Sequence, residues 1–129
     1  MILIDTLFSR RYNYFMKREF VHTKEFDARW RSLSLTDTDL LELQMYLCAN
    51  LDSGDVMQGT GGIRKIRWAL HGKGKRGGIR VLYLDIVFAE KIYLLSLFAK
   101  SEKANLSKAE RNELKNLVAL IEQEAKHGK

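Results

Sequence analysis

The chain has 129 residues, 46% of them hydrophobic and 29% charged, which suits one globular domain and excludes both a disordered chain and one immersed in lipid. No apolar run approaches the roughly 20 residues that cross a bilayer, and the lone Cys48 has no second cysteine for an internal disulfide, which fits the reducing cytoplasm. The formal net charge is +6 and it is local: no acid stands between Asp55 and Asp85, while Arg64, Lys65, Arg67, Lys73, Lys75, Arg76 and Arg80 supply seven positive charges there. A field of one sign attracts polyanions, of which nucleic acid is the commonest, and a solvated basic face without a partner is the plainer alternative.

Met1 to Phe8 is apolar but short, and Arg10 and Arg11 follow it where a secretory signal would place cations first. Residues 1–15 read as an appendage, flexible or not native, with Met16 a candidate natural start; residues 16–129 read as the domain. Arg18 to Thr23 reads as a strand with Phe20 and His22 on one side of it. Thr23 can cap a helix carrying Phe26, Trp30 and Leu33. Thr36 and Asp39 form a near capping box, with Asp in place of Glu, for a second helix. There Leu40, Leu43, Leu47 and Leu51 recur at helical spacing beside Met45 and Cys48. Asn50 to Gly54 ends this helical hairpin with turn formers.

The period then changes. Ile63 to Leu70 alternates, with Ile66, Trp68 and Leu70 on one face and Lys65 and Arg67 on the other. A loop of glycine and cations follows, His71 to Gly78. Ile79 to Val87 and Lys91 to Ala99 are β-branched and aromatic, separated by a break near Phe88 to Glu90. Ser107 and Glu110 make a full capping box for a last helix, whose Leu114, Leu117, Val118 and Ile121 form one apolar stripe. The predicted order β-α-α-β-β-β-α, with short connections between its later strands, describes an α+β domain. It has a twisted, mainly antiparallel sheet of about four strands with the helices on one face.

Gly72-Lys73-Gly74-Lys75-Arg76-Gly77 matches G-x-G-x-x-G in letters only. A dinucleotide site needs this turn to open a helix in a parallel βαβ unit, and here a strand follows. Glycines at this point let the backbone approach phosphates, with Lys73, Lys75 and Arg76 supplying charge. Arg64, Arg67 and Arg80 lie within strands, where side chains point in fixed directions. The planar guanidinium fork matches phosphate oxygens, and the absence of local acids argues against ordinary ion pairs. Arg80 shares parity with Leu82 and Leu84, so it reaches an open site only near the strand end. Tyr83, Tyr93 and Phe98 are aromatics in the sheet, either core residues or stacking surfaces for unpaired bases; Tyr93 reads as core. His22, His71 and His127 are too scattered to bind metal, and Cys48 reads as buried.

The run Val56 to Arg67, the run Gly72 to Tyr83, the stretch Tyr93 to Lys103 and Asn105-Leu106-Ser107 together resemble the HigB-like toxins of the RelE superfamily over about residues 16–125. The resemblance implies a small RelE-like α+β fold. It implies a metal-independent endoribonuclease without cofactor that cuts messenger RNA in the ribosomal A site. It also implies a cognate antitoxin, of the helix-turn-helix kind in many relatives. Arg64, Arg67 and Arg80 match the family's basic site residues, Lys75 and Arg76 its basic loop, Lys100 its late-strand lysine and Glu102 an acidic position. Lys100, with Lys65 second, is the candidate for proton transfer, since clustered cations disfavour a lysine's charged form. Phe98 stands where many relatives carry tyrosine and keeps only the stacking surface, for which Tyr83 is a candidate substitute. Ser101 stands where many carry asparagine. Two rivals share the fold: a non-catalytic RNA- or ribosome-binding module, and an inactivated prophage-derived homologue.

Overall fold

The computed structural model describes residues 17–69, 78–99 and 105–127, together with the backbone of residues 8–11. The elements are β1 (Phe8–Arg11), β2 (Glu19–Thr23), α1 (Lys24–Ser32), α2 (Asp37–Ala49), β3 (Asp55–Val56), β4 (Arg64–Trp68), β5 (Ile79–Ile86), β6 (Lys91–Ala99) and α3 (Lys108–His127), with one 3-10 turn at Val87–Ala89. The predicted elements are all present in the predicted order. Two strands come in addition: β1, from the stretch read as an appendage, and the two-residue β3. The sheet order is β1-β2-β6-β5-β4-β3. Every neighbouring pair is antiparallel except β2 and β6, which run parallel with Glu19 beside Lys91 and His22 beside Leu94. The fold is thus α+β and mainly antiparallel, with more strands than the four expected.

Side-chain oxygens set the helix starts. The Thr23 hydroxyl accepts from the Phe26 N–H at 2.9 Å and donates to the Leu95 carbonyl at 2.7 Å, so one residue ends β2, caps α1 and ties both to β6. Thr36 and Asp39 close their box at 3.1 and 2.9 Å, and Ser107 and Glu110 close theirs at 3.1 and 2.8 Å. Each box satisfies two amides that the first helical turn leaves open.

The helices do not share one face, contrary to expectation. Phe20, Ile66, Ile79, Val81, Tyr83, Ile92, Leu94 and Leu97 pack under α1 and α2, against Phe26, Trp30, Leu40, Leu43 and Leu47. Val21, Leu82, Leu84, Ile86, Tyr93, Leu95 and Phe98 pack on the opposite side under α3, against Val118, Ile121 and Ala125. The physical reason is visible in the strands: β2 and β5 are apolar at both parities, as in Phe20-Val21 and Val81-Leu82, and so need cover on both sides.

Two backbone devices aim the strands. Between β3 and β4, Gly59, Gly61 and Gly62 all have positive φ, 77°, 85° and 119°. The buried Thr60 hydroxyl donates to the Met57 carbonyl and accepts from the Ile63 amide, pinning this turn. Between β5 and β6 the register shifts after Leu82. Leu82 faces Ser96 while Tyr83 faces Leu94, so Leu95 is the extra residue of a bulge. Beyond it, Ser96 and Phe98 turn to the α3 side, where unbroken alternation from Tyr93 would have pointed them to α1 and α2.

Candidate nucleic-acid interface

The cross-strand register assembles a row on the α3 side of the sheet. Arg67 of β4 lies directly opposite Arg80 of β5, and Arg80 directly opposite Phe98 of β6. Lys65, Leu82 and Ser96 form the next row on the same face. Arg80 is the second residue of β5, at the strand end that its parity demanded. Arg67 is exposed and Arg80 half-buried. Neither has an ion-pair or hydrogen-bond partner among the described residues. Like charges directly opposite on neighbouring strands destabilise a sheet, so this pair is an electrostatic cost that an anion lying across both guanidinium groups would offset.

Arg64 does not join the row. It pairs with Tyr83 and belongs to the other face. Its guanidinium donates to the Gly54 carbonyl at 2.6 Å and reaches Asp52 at 3.5 Å. The acid-free window had argued against an ion pair for Arg64, but Asp52 lies just outside that window and chain reversal through β3 returns it to Arg64. Tyr83 is also elsewhere. It is fully buried in the core under α1 and α2. Its hydroxyl donates to the Leu51 carbonyl at 3.2 Å and accepts from the Gly54 amide at 3.3 Å. Arg64 and Tyr83 therefore hold the turn at residues 51–54 against the sheet from the face away from Arg67 and Arg80.

Phe98 is brought to the row, but at 3% exposure it is a core residue and not an open stacking surface. Lys65 is half-buried on the arginine face, opposite Asp55 of β3. Tyr93 is core as expected, with its hydroxyl donating to Glu124 at 3.2 Å. His22 is fully buried; with Nδ1 donating to Asp27 at 3.0 Å, Nε2 is left to accept from Gln44 at 3.4 Å, a satisfied core histidine. Cys48 is half-buried where it was read as buried, and this partial burial pushes its thiol up. Lys73, Lys75 and Arg76, with the rest of the glycine loop, and Lys100 and Glu102 lie outside the described residues.

Next to the row opens a cleft of about 220 Å³. It is lined by Leu82, Phe98, Leu106, Leu114 and Leu117 together with Glu25, Arg29, Ser96, Glu110 and Glu113. The Ser96 hydroxyl donates to the Glu25 carboxylate at 2.5 Å, and Arg29 braces the same carboxylate at 3.4 Å. Nothing in the sequence singled out Glu25, Arg29 and Glu113. On helices α1 and α3 they look like ordinary solvated positions, and the hydrogen bond from Ser96, which the bulge turns to this side, links α1 to the cleft.

The described residues form a small α+β domain, a helix-covered mixed sheet with Arg67 and Arg80 opposed at one end. Among known families, the RelE toxin of the RelE / RelB toxin-antitoxin system matches residues 18–127. The chain belongs to this family and is the toxin of a toxin–antitoxin pair, which implies an antitoxin partner. None of the described helices is long and apolar enough to cross a membrane.

Proposed function

We propose that the chain is a ribosome-dependent endoribonuclease that cuts messenger RNA in the A site, in the cytoplasm. The observation that carries this reading is the pair Arg67 and Arg80, opposed across two strands without a described acid. In the reaction the message's ribose 2′-oxygen attacks the adjacent phosphorus and loses its proton. The bond to the next nucleotide's 5′-oxygen breaks, and that oxygen takes up a proton. A 2′,3′-cyclic phosphate and a 5′-hydroxyl result. Charge accumulates on the non-bridging oxygens, where two preorganised guanidinium groups act most strongly. Lys100 is the proposed proton carrier, with Lys65 second. Lys73, Lys75 and Arg76 are proposed to grip the nucleic-acid backbone. The ribosome positions the message and so completes the site. The antitoxin is proposed to be a helix-turn-helix protein encoded beside the toxin.

Induction of the wild-type chain is expected to arrest growth, and primer extension on translated messages to show new ends only when ribosomes are present. Arg80→Ala is expected to relieve the arrest while circular dichroism stays native. Full toxicity in Arg80→Ala, or binding to ribosomes without any cleavage by the wild type, selects the non-catalytic binding module instead.

A further inference from the structure

We propose that Tyr46 and Trp68 form a stacking platform for an unpaired RNA base, on the other side of the sheet end that carries Arg67 and Arg80; the inference rests on the RNA-binding part of the reading above. Trp68 is the last residue of β4 and follows Arg67 directly. The two side chains therefore leave one strand end on opposite faces, from Cα atoms about 3.8 Å apart. Trp68 is half-buried on the α2 side, and Tyr46 of α2 is 40% exposed. Their ring centroids lie 5.0 Å apart and their planes are tilted by 56°. A flat base can lie on one ring with its edge toward the other, an arrangement that aromatic quadrupoles favour. The way round from one face to the other is short. β3 pairs only with Arg64 and Lys65 of β4, and no described strand covers the edge from Ile66 to Trp68. An RNA strand whose phosphate lies on Arg67 and Arg80 can turn this edge and bring a nearby base onto the rings.

The polar tips separate this pair from the aromatics that serve the fold. Tyrosine and tryptophan usually find a hydrogen-bond partner when they are buried for structure. The Trp30 indole donates to the Thr36 carbonyl at 3.1 Å, Tyr83 to the Leu51 carbonyl at 3.2 Å and Tyr93 to Glu124 at 3.2 Å. The Tyr46 hydroxyl and the Trp68 indole N–H have no partner among the described residues. Charge favours RNA as the occupant. Trp68 stands inside the stretch between Asp55 and Asp85 that holds no acid, next to Arg67. A single-stranded polyanion gains there from the cation and from the rings together, and stacking on an aromatic ring requires no particular base.

The test measures binding of the purified full chain to two labelled oligonucleotides by fluorescence anisotropy. One is a single-stranded 2′-O-methyl RNA, which has no free 2′-hydroxyl to attack and so stays intact; the other is the same backbone without bases. The wild type is expected to bind the base-bearing strand roughly tenfold tighter, the scale of one stacked base. Tyr46→Leu and Trp68→Leu are each expected to remove most of that preference. Stacking displaces no counterions, so in both variants the slope of log affinity against log salt stays as in the wild type, whereas Arg67→Ala lowers it by about 0.7. Tyr46 is exposed, so Tyr46→Leu carries the test should Trp68→Leu lose its native circular dichroism. A second arm measures binding of the same variants to ribosomes with and without message. A loss on empty ribosomes assigns the base to ribosomal RNA, a loss only on programmed ribosomes assigns it to the message, and no loss on either overturns the platform. A wild type that binds neither oligonucleotide, or both equally, overturns it too, as does a preference that both folded variants keep. Cutting of translated message is read separately, so these results leave the ribonuclease reading standing. Base-dependent binding by a chain that cuts no message overturns the ribonuclease reading and leaves the platform in place.

Discussion

Replacing Arg67 by glutamate is expected to make the protein more stable and to abolish its toxicity. Arg67 and Arg80 are a directly opposed pair with no described acid between them, so the native sheet carries a like-charge repulsion. Cross-strand charge pairs contribute about 0.2–1 kcal/mol, unfavourable when alike and favourable when opposite. Arg67→Glu removes the first and creates the second, a gain of about 0.5–1.5 kcal/mol. Arg67 is exposed, so the new carboxylate stays hydrated and adds little desolvation cost. At ~4 °C per kcal/mol for a domain of this size, the melting temperature rises by roughly 2–6 °C. The assay is thermal unfolding followed by circular dichroism, in low salt and again near 1 M, where screening over about 3 Å shrinks the gain. Arg80→Glu alone should gain less, because Arg80 is half-buried and its carboxylate would lose hydration, and the double variant should lose the gain, because two opposed carboxylates restore repulsion. A melting temperature that falls or stays put in low salt for Arg67→Glu refutes the reasoning, since it would mean that the arginines serve the fold and not a bound anion.

Residues that serve the fold and not the arginine row should behave in the reverse way. Tyr83→Phe strips a buried hydroxyl that bonds both Leu51 and Gly54; a loss of about 1–3 kcal/mol in urea unfolding is expected, with ribosome-dependent cutting per folded molecule retained, whereas a stable but inactive variant would restore Tyr83 to the catalytic set. Gly61→Ala forces a side chain onto φ 85° and sets its Cβ 3.1 Å from Val118 of α3; a cost of about 1–2 kcal/mol is expected from the backbone alone, and an unchanged unfolding midpoint would count against the strain.

Much of this fold was legible because its signals are local. The capping pairs Thr36/Asp39 and Ser107/Glu110 mark where α2 and α3 begin, and the change from helical to alternating period marks where the sheet begins. The two-sided burial of the sheet was also written in β2 and β5, in their adjacent apolar pairs, but short connections suggested a sheet covered from one side. What sequence could not supply is register. Arg64 and Arg67 are three residues apart on one strand and therefore point to opposite faces. Their partners, Tyr83 with the turn at residues 51–54 and Arg80, are fixed only when β4 pairs with β5.

The bulge at Leu95 marks the same limit more sharply. Nothing in Tyr93-Leu94-Leu95-Ser96-Leu97-Phe98 announces an extra residue, because every position but Ser96 is apolar and alternation is undefined. Yet that one residue decides the site. Without it Phe98 would enter the α1 and α2 core, Ser96 would leave Glu25, and α3 would close over a plain apolar surface. With it, Phe98 becomes the wall shared by the arginine row and the cleft. A buried phenylalanine in that place has no proton to donate, so the groups this face can offer an anion are the guanidiniums of Arg67 and Arg80 beside it. Packed in the core directly opposite Arg80, it anchors the strand from which that guanidinium projects, and under the proposed function a pair held in place meets one phosphate at less cost.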